Sequence, residues 1–509
     1  MRPYAHSIPL CLALGLLGGC ATAPDSEFDQ MPAPMASAWT AEEDGGAPEA
    51  IPGAATEPLF DDGWLADIDD STLTAMVHEA VAQNYDLQAT AARLQIAQAE
   101  AAITNADSWP QLNGSFGGSR RRQNFGADGL GAIPSATFNT YSVGLDLSWE
   151  LDIWGRVRDG TSAAIADAQA AAATLQGARL SLAANTAKAW FDAIEAELQV
   201  QLAEETFDSF NDTANVIQGR FERGVSPALD LRLARAQASS AAANLEFRLQ
   251  ARDATVRNLE VLMGRYPANE IELATDLPTI TAPVPAGLPS ELLERRPDLI
   301  VAERNLAASG KRVSEAKKQM LPSISLTGSY GYSSSQLGEL FAGGFSVWSL
   351  AGNAVQPIFQ ARRISANIER TKAVAIERLA AYGQTALDAF AEVEIALESE
   401  AYLVRRVEAL RDAAEENTGA EDTAWARYQR GLTDIITVLE SQRRAFTSKV
   451  DLLDSRNERL QNRINLYLAL GGDFGKETVP EAEITWPTGP QAYPNEPVPA
   501  ATPHLSSVE

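Results

Sequence analysis

Histidines and cysteines are too few and too scattered in this chain to form a common catalytic or metal-binding site. The histidines are His6, His78 and His504, and both cysteines, Cys11 and Cys20, lie within the first twenty residues. Zinc sites and thiolate nucleophiles need such side chains close together in the body of a fold. His78 lies in an amphipathic stretch, where we expect a packing role. The sequence therefore predicts no enzyme, no metal site and no cofactor.

The charge balance excludes a second large class of proteins. Lys and Arg total 41 while Asp and Glu total 68, which gives a formal charge of −27. A nucleic-acid binder needs a basic surface, so we expect no nucleic-acid partner. The sequence also contains no G-x-x-x-x-G-K-[ST] loop, no G-x-S-x-G elbow and no EF-hand loop.

The first twenty residues have the features of a bacterial export signal. A basic start is followed by a short apolar run that ends in Leu17-Gly18-Gly19-Cys20. Small residues before a cysteine resemble the lipoprotein cleavage box, in which the cysteine is acylated. We predict a signal peptide at 1–19, palmitate or a similar acyl chain on Cys20, and a lipidated flexible tether at 20–59. The alternative is an ordinary signal peptide that happens to contain a cysteine.

Two parts of the sequence repeat the same order of features. One helical segment runs from Asp86 to Pro110, and another runs from Asp298 to Pro322, 212 residues later. Farther on, the segment 220–225 (RFERGV) matches 427–432 (RYQRGL) with an offset of 207. Each copy predicts a helix, two strands and two long helices.

These matches predict how the chain is organised. Repeat 1 spans 60–264 and repeat 2 spans 298–473, and a proline-rich linker or equatorial region at 265–297 joins them. Residues 474–509 are rich in proline without a helical period, so we expect a largely disordered C-terminal tail.

Four segments alternate apolar and small or polar residues with the period of a strand. They lie at about 111–124, 138–151, 322–335 and 344–357. An ordinary half-buried sheet would give the same alternation, but the length also fits tilted membrane-spanning strands. Four strands cannot close a membrane barrel, and open edges in lipid are costly. If the strands lie in a membrane, several chains must share one barrel, and three copies would supply twelve strands.

Long helices account for most of the remaining sequence. The segment from Gly155 to about Gly219 has no proline and is rich in alanine, which predicts a helix of about 90 Å. Residues 360–415 and 434–470 have the same character. A soluble coiled coil is the simpler explanation of the helices alone, but it leaves the cleavage box and the strands unexplained.

Several motifs together resemble the outer membrane factor family, the TolC-like channels, and especially its OprM/NodT-type lipoproteins. The similarity covers about 60–473. The most specific segments are the Leu-Gly-Gly-Cys box, 288–299 (LPSELLERRPDL), 318–326 with its Leu-Pro pair, 427–432 and 438–442 (VLESQ).

The resemblance implies a fold, a function and partners. The fold is a homotrimer with one shared twelve-stranded outer membrane β-barrel, continued through the periplasm by a twelve-helix α-barrel. The implied function is the exit duct for small molecules in a tripartite efflux pump, with a periplasmic adaptor and an inner-membrane transporter of the RND type as partners. A duct for polypeptide (type I) secretion and a non-transporting coiled-coil lipoprotein scaffold remain as alternatives.

The resemblance also places a gate at the periplasmic tip of the helices. The family's apolar and acidic rings fall on Ile436 and Glu440, and Asp230 lies at the register of Thr437 in the other repeat. Glu replaces the more frequent Asp at position 440, which keeps the charge but changes the ring diameter. Three copies of Glu440 in a narrow pore are expected to repel one another and raise their own pKa.

Other tip residues match the family's latch and docking surface. Arg427, Tyr428 and Arg443 match positions whose contacts hold the tip closed; the alternative is that they are ordinary surface residues. Gly224 and Gly431 are expected to open the second long helix of each repeat through a tight turn. The two hairpin tips, at 219–232 and 426–440, predict an adaptor-docking surface with the following residues: Arg220, Arg223, Gly224, Arg430 and Gly431.

Overall fold

The computed structural model describes residues 64, 65, 68, 70–123, 135–279, 295–342 and 344–472. The predicted signal peptide, Cys20, the tether and the C-terminal tail at 474–509 lie outside the described residues. So do residues 280–294 of the predicted linker and the last residue of the first predicted strand, 124.

Helices dominate the described part of the chain, and four strands accompany them, as the sequence predicts. The first half contains α1 (Ser71–Gln83), α2 (Tyr85–Ala106), β1 (Gln111–Gln123), β2 (Ala136–Leu151), α3 (Arg156–Glu222) and α4 (Ala228–Leu262). The second half contains α5 (Pro297–Lys318), β3 (Ser323–Ser334), β4 (Ser346–Val355), α6 (Arg363–Gln429) and α7 (Ile435–Ala469). None of the described helices has an apolar stretch long enough to cross a membrane.

The four strands form one antiparallel sheet in the order β1-β2-β3-β4. The register is unbroken: Phe116 faces Val143, which in turn faces Tyr332 on β3. Gly144 and Gly331 face each other at the centre of the sheet, where the strands approach closely. The end of β1 and the start of β2 lie at the same end of the sheet as the end of β3 and the start of β4, and the helices adjoin the other end.

The two longest helices, α3 and α6, each run for 67 residues without a break. That length corresponds to about 100 Å at 1.5 Å per residue. The Asp152 carboxylate satisfies the first turn of α3, because it accepts the backbone N–H groups of Val157 (3.0 Å) and Arg158 (2.9 Å). Small side chains on the buried face, including Ala163, Ala166 and Ala183, allow the neighbouring helices to come close.

All four long helices end in the same Schellman motif. Its left-handed residues are Gly224, Gly264, Gly431 and Gly471, with φ between 73° and 75°. After α3, Gly224 donates to the carbonyl of Phe221 and Val225 to that of Arg220, both at 2.8 Å. These two bonds satisfy carbonyls at the helix end. Gly224 and Gly431 therefore terminate the first long helix of each repeat. The predicted tight turn with positive φ is confirmed at both glycines. Their place in it differs from the expectation, because they cap the end of the first long helix and lie four residues before the second one begins.

Helix α3 is the centre of the helical packing and contacts α1, α2, α4, α5 and α7, whereas α6 contacts α5 and α7. The largest apolar core surrounds Trp190 and Phe191 of α3. Trp190 also donates its indole N–H to the Asp70 carboxylate at 2.8 Å. Trp64 stacks on Tyr467 of α7 with ring centroids 5.8 Å apart. This core joins Trp64 and α1, together with the C-terminal ends of α4 and α7, to the middle of α3.

A buried arginine, Arg296, joins three helices of the second half of the fold. The Arg296 side chain is only 8% exposed. Its guanidinium donates to Asp298 (2.7 and 3.1 Å), to Glu392 of α6 (2.7 Å) and to the Ala469 carbonyl at the end of α7 (2.9 Å). Charged hydrogen bonds with these three partners hold α5, α6 and α7 together.

Because β2 and β3 approach closely at Gly331, a substitution there tests the pairing of these two strands. A Cβ at position 331 would lie 2.2 Å from the Val143 carbonyl oxygen, whereas a Cβ at Gly328 in the same strand meets its nearest atom at 3.6 Å. We expect Gly331→Ala to lower the melting temperature of the β-structure by several degrees or prevent assembly, because backbone must shift. Gly328→Ala should melt like wild type. Thermal circular dichroism measures both, and equal melting of the two variants would contradict the register.

Candidate functional site

The two faces of the sheet differ sharply in polarity. Because side chains alternate along a strand, the register assigns each residue to one face. One face is apolar and carries Leu112, Phe116, Val143, Leu145, Leu147, Trp149, Ile324, Leu326, Tyr330, Tyr332, Trp348 and Leu350. Phe116 is 71% exposed and Trp348 is 76% exposed in the single chain.

The opposite face is polar and internally hydrogen-bonded. Ser115 donates to the Asp146 carboxylate at 2.9 Å, and the hydroxyls of Ser329 and Ser349 are 2.8 Å apart. Asn113, Thr327 and Asn353 share this face. A sheet with one lipid-like face and one water-like face has the pattern of a membrane barrel wall.

The outer strands leave two edges unpaired within the described residues. β1 pairs with β2 alone, and β4 pairs with β3 alone. Every residue of β4 is exposed in the single chain. An edge of this kind presents unsatisfied N–H and C=O groups that another strand can complete.

Polar contacts attach the sheet to the helices. The Trp149 indole donates to the Ser108 carbonyl at 3.0 Å, and the Trp154 indole donates to the Pro322 carbonyl at 2.8 Å. Lys318 at the end of α5 donates to Asp159 of α3 at 2.5 Å. The sheet is thus held at a fixed position on the helical part.

The other end of the molecule consists of two helical hairpin tips, at 219–232 and 426–440. An apolar cluster packs them together, with Ile217 and Leu231 from the first repeat and Tyr428, Ile435 and Val438 from the second. Beside it, Gln442 of α7 donates to the hydroxyls of Ser209 (2.8 Å) and Thr213 (3.1 Å) on α3.

Arg220 and Tyr428 meet at the point where the two tips join. Tyr428 is 5% exposed, and the Arg220 guanidinium lies 4.7 Å from its ring centroid. Trp425 stacks on Tyr428, with ring centroids 6.0 Å apart. Arg220 therefore contacts the other tip. The sequence placed it on the docking surface and did not predict this contact. A cation over an aromatic face contributes about 0.5–2 kcal/mol.

Glu440 is bound by two arginines of its own helix. Arg443 donates to it through Nε (3.0 Å) and Nη2 (2.9 Å), and Arg444 donates through Nε (2.9 Å). The hydrogen bonds from Arg443 and then Arg444 lower the pKa of Glu440 to about 2. Within one chain this is opposite to the raised pKa expected for a ring of three, and the repulsion between copies remains a prediction. Arg444 was missed, although its i,i+4 spacing from Glu440 signals the pair.

The remaining tip residues differ in exposure. Ile436 is 55% exposed, and Asp230 is half-buried in the first turn of α4. Arg223, Arg427 and Arg430 are exposed, and within the described residues their side chains have no hydrogen-bond or ion-pair partner.

A buried polar network lies between α3 and α7, about halfway along α3, and sequence reasoning did not find it. Asn457 donates to Asp192 (2.7 Å) and Glu195 (2.9 Å), while Gln199 donates to Asp454 (2.8 Å). Burial, followed by the neighbouring Asp454 carboxylate, raises the pKa of Glu195 to about 7. The described residues contain no cluster of acids arranged to hold a metal ion. The polar residues at helical spacing on α7 were the available signal.

The raised pKa of Glu195 predicts pH-dependent stability. The folded protein binds a proton more strongly than the unfolded chain, so this contribution is complete below about pH 4.5 and is lost as the pH rises through about 7. Glu195→Gln keeps a neutral side chain at every pH. We expect it to melt about 2–4 °C above wild type at pH 8 and close to wild type at pH 4.5.

Differential scanning calorimetry at both pH values measures this difference. Glu205→Gln is the control, because Glu205 is exposed on the same helix. An equal shift for Glu195→Gln at both pH values would contradict the assignment.

Comparison with known proteins identifies the family to which this chain is similar. The family model for the outer membrane efflux protein matches residues 76–265 and 288–472. The outer membrane protein OprJ of Pseudomonas aeruginosa is 32% identical over 94% of this chain and 98% of its own length. The toluene efflux pump outer membrane protein TtgC of Pseudomonas putida is 32% identical over 92% of this chain and 96% of its own.

A solved structure agrees with the sequence relatives. The outer-membrane channel OprN has a TM-score of 0.79 and 27% identity, over 89% of this chain and 99% of that one. The resemblance that the sequence motifs predict is confirmed. The chain belongs to the outer membrane efflux protein family.

Proposed function

We propose that three copies of this chain share one barrel and form the outer membrane exit duct of a tripartite efflux pump. The two-faced sheet with unpaired edges carries the proposal. Joining β4 of one copy to β1 of the next satisfies both edges, places the apolar face against lipid and turns the polar face to a water-filled lumen. Twelve strands result from three copies. The duct passes small molecules, as the efflux relatives suggest.

The long helices continue the duct into the periplasm. Helices of about 100 Å side by side in three copies enclose a pore of the length needed to reach a periplasmic partner. We propose that the hairpin tips bind a periplasmic adaptor, through which an inner-membrane transporter of the RND type delivers substrate. Exposed Arg223, Arg427 and Arg430 favour an acidic contact surface on that adaptor. Acylated Cys20 would add a lipid anchor.

The proposed gate combines a constriction with two sets of contacts. Ile436 and Glu440 narrow the pore, with Asp230 as a further acid. The Arg220–Tyr428 contact holds the two tips of one chain together, and Arg443 with Arg444 fixes the Glu440 carboxylate. In the predicted latch of Arg427, Tyr428 and Arg443, Tyr428 contacts Arg220, Arg443 binds Glu440 of its own helix, and Arg427 is exposed. Contacts of these residues between copies stay a prediction.

Glu440 gives a test of the acidic constriction. In planar bilayers, Glu440→Gln should reduce the cation-to-anion permeability ratio about two- to fivefold, because three charges leave the narrowest point. Arg443→Gln should raise the ratio. Glu458→Gln is the control, since it removes an acid from the same helix about 27 Å away.

The pH dependence of the cation-to-anion permeability ratio tests whether Glu440 stays ionised. With the pKa of Glu440 held near 2 by its arginines, cation selectivity should persist from pH 7 to pH 4. An unchanged ratio in Glu440→Gln would remove this residue from the gate.

Arg220 gives a test of the tip contact. Arg220→Ala should raise the open probability of the reconstituted channel several-fold, because it removes an interaction of about 0.5–2 kcal/mol. Tyr428→Phe keeps the aromatic face and should behave like wild type. Arg223→Ala removes an exposed arginine three residues away and is the matched control. Equal openings in the Arg220 and Arg223 variants would contradict a closing role for the contact.

A further inference from the structure

Three consecutive arginines end β1, and the register divides them between the two faces of the sheet. Arg120 pairs with Asn139 and Arg122 pairs with Thr137, on the face that carries Leu112 and Phe116. Arg121 pairs with Phe138 on the opposite, polar face. Two cations therefore lie on the lipid-like face of a chain whose formal charge is −27.

The position of Arg120 and Arg122 along the strand places them at the edge of the apolar band. Arg120 is about 27 Å along the strand from Leu112, at 3.4 Å per residue, and Arg122 is a further 7 Å away. In a strand tilted by about 40°, these distances correspond to heights above Leu112 of about 21 Å for Arg120 and about 26 Å for Arg122, close to the roughly 25 Å height of the outward apolar band of a barrel. The two arginines lie near the C-terminal end of β1, at the end of the sheet opposite the helices. In the proposed duct this end is the outer leaflet.

Their charges are not neutralised within the described residues. Arg122 donates Nε (3.0 Å) and Nη2 (2.7 Å) to the Ser135 hydroxyl, which orients the guanidinium without an acid. Arg120 is exposed and has no hydrogen-bond or ion-pair partner in the described part of the chain. Their cross-strand partners Asn139 and Thr137 are neutral.

We propose that Arg120 and Arg122 bind the phosphate groups of outer-leaflet glycolipids. The inference rests on the proposed barrel. Guanidinium groups form bidentate hydrogen bonds to phosphate, and adjacent Phe116 and Leu112 offer a surface for acyl chains directly below. Since β1 is an edge strand, each site lies at the seam where the next copy's β4 would join. A lipid bound there contacts two copies and stabilises the trimer.

The test measures thermal dissociation of the purified full-length trimer in non-ionic detergent, with two lipid probes. One is bisphosphorylated lipid A, and the other is the same lipid without phosphates. For wild type, the phosphorylated lipid should raise the dissociation temperature by about 3–6 °C, and the phosphate-free lipid should not. Arg120→Gln with Arg122→Gln should lose the shift.

Arg121→Gln is the control, because it removes one arginine charge from the opposite face of the same strand. It should keep the full shift. Equal shifts with both lipids, or equal loss in the control, would overturn the proposal. If a stable trimer shows no shift with either lipid, this inference fails and the proposed duct stands. If the protein forms no trimer, the proposed duct fails and this inference fails with it.

Discussion

The structure depends on one constraint, which is that the sheet must satisfy its two open edges. Four strands present paired backbone groups in the interior and unpaired groups along β1 and β4. In lipid each unpaired group costs several kcal/mol, and the described part of one copy contains no further strand that could cover them. One face of the sheet is apolar and must be kept from water. The proposed trimer follows from these two requirements, and the helical part must then arrange three copies around the same axis.

The fold was predictable where the signal is local and periodic. Alternation through Val143, Leu145 and Leu147 identified a strand, and the RFERGV and RYQRGL segments identified the repeat. The same offset of 207 relates Gly224 to Gly431 and Gly264 to Gly471, so both repeats end their long helices with the same backbone motif. Sequence reasoning read the first pair as helix starts, since a left-handed glycine can serve a turn on either side.

The site was less predictable, because its contacts join residues far apart in the chain. Arg220 meets Tyr428 only when α3 and α6 end at the same level. Glu195 acquires its raised pKa from burial and from Asp454 on α7. By contrast, the pairing of Glu440 with Arg443 and Arg444 is local and could have been found from helical spacing alone. The family resemblance assigned Glu440 to an acidic ring. Within one chain, the two arginines of its own helix determine its charge state.

The most direct test of the shared barrel is the particle mass of the detergent-extracted protein, corrected for bound detergent. The chain has a mass of 54.5 kDa, so three copies predict about 160 kDa of protein. That mass would mean that the strand edges are closed by neighbouring copies. A stable monomer in mild detergent would contradict the account, because its four strands would then have to satisfy their edges alone.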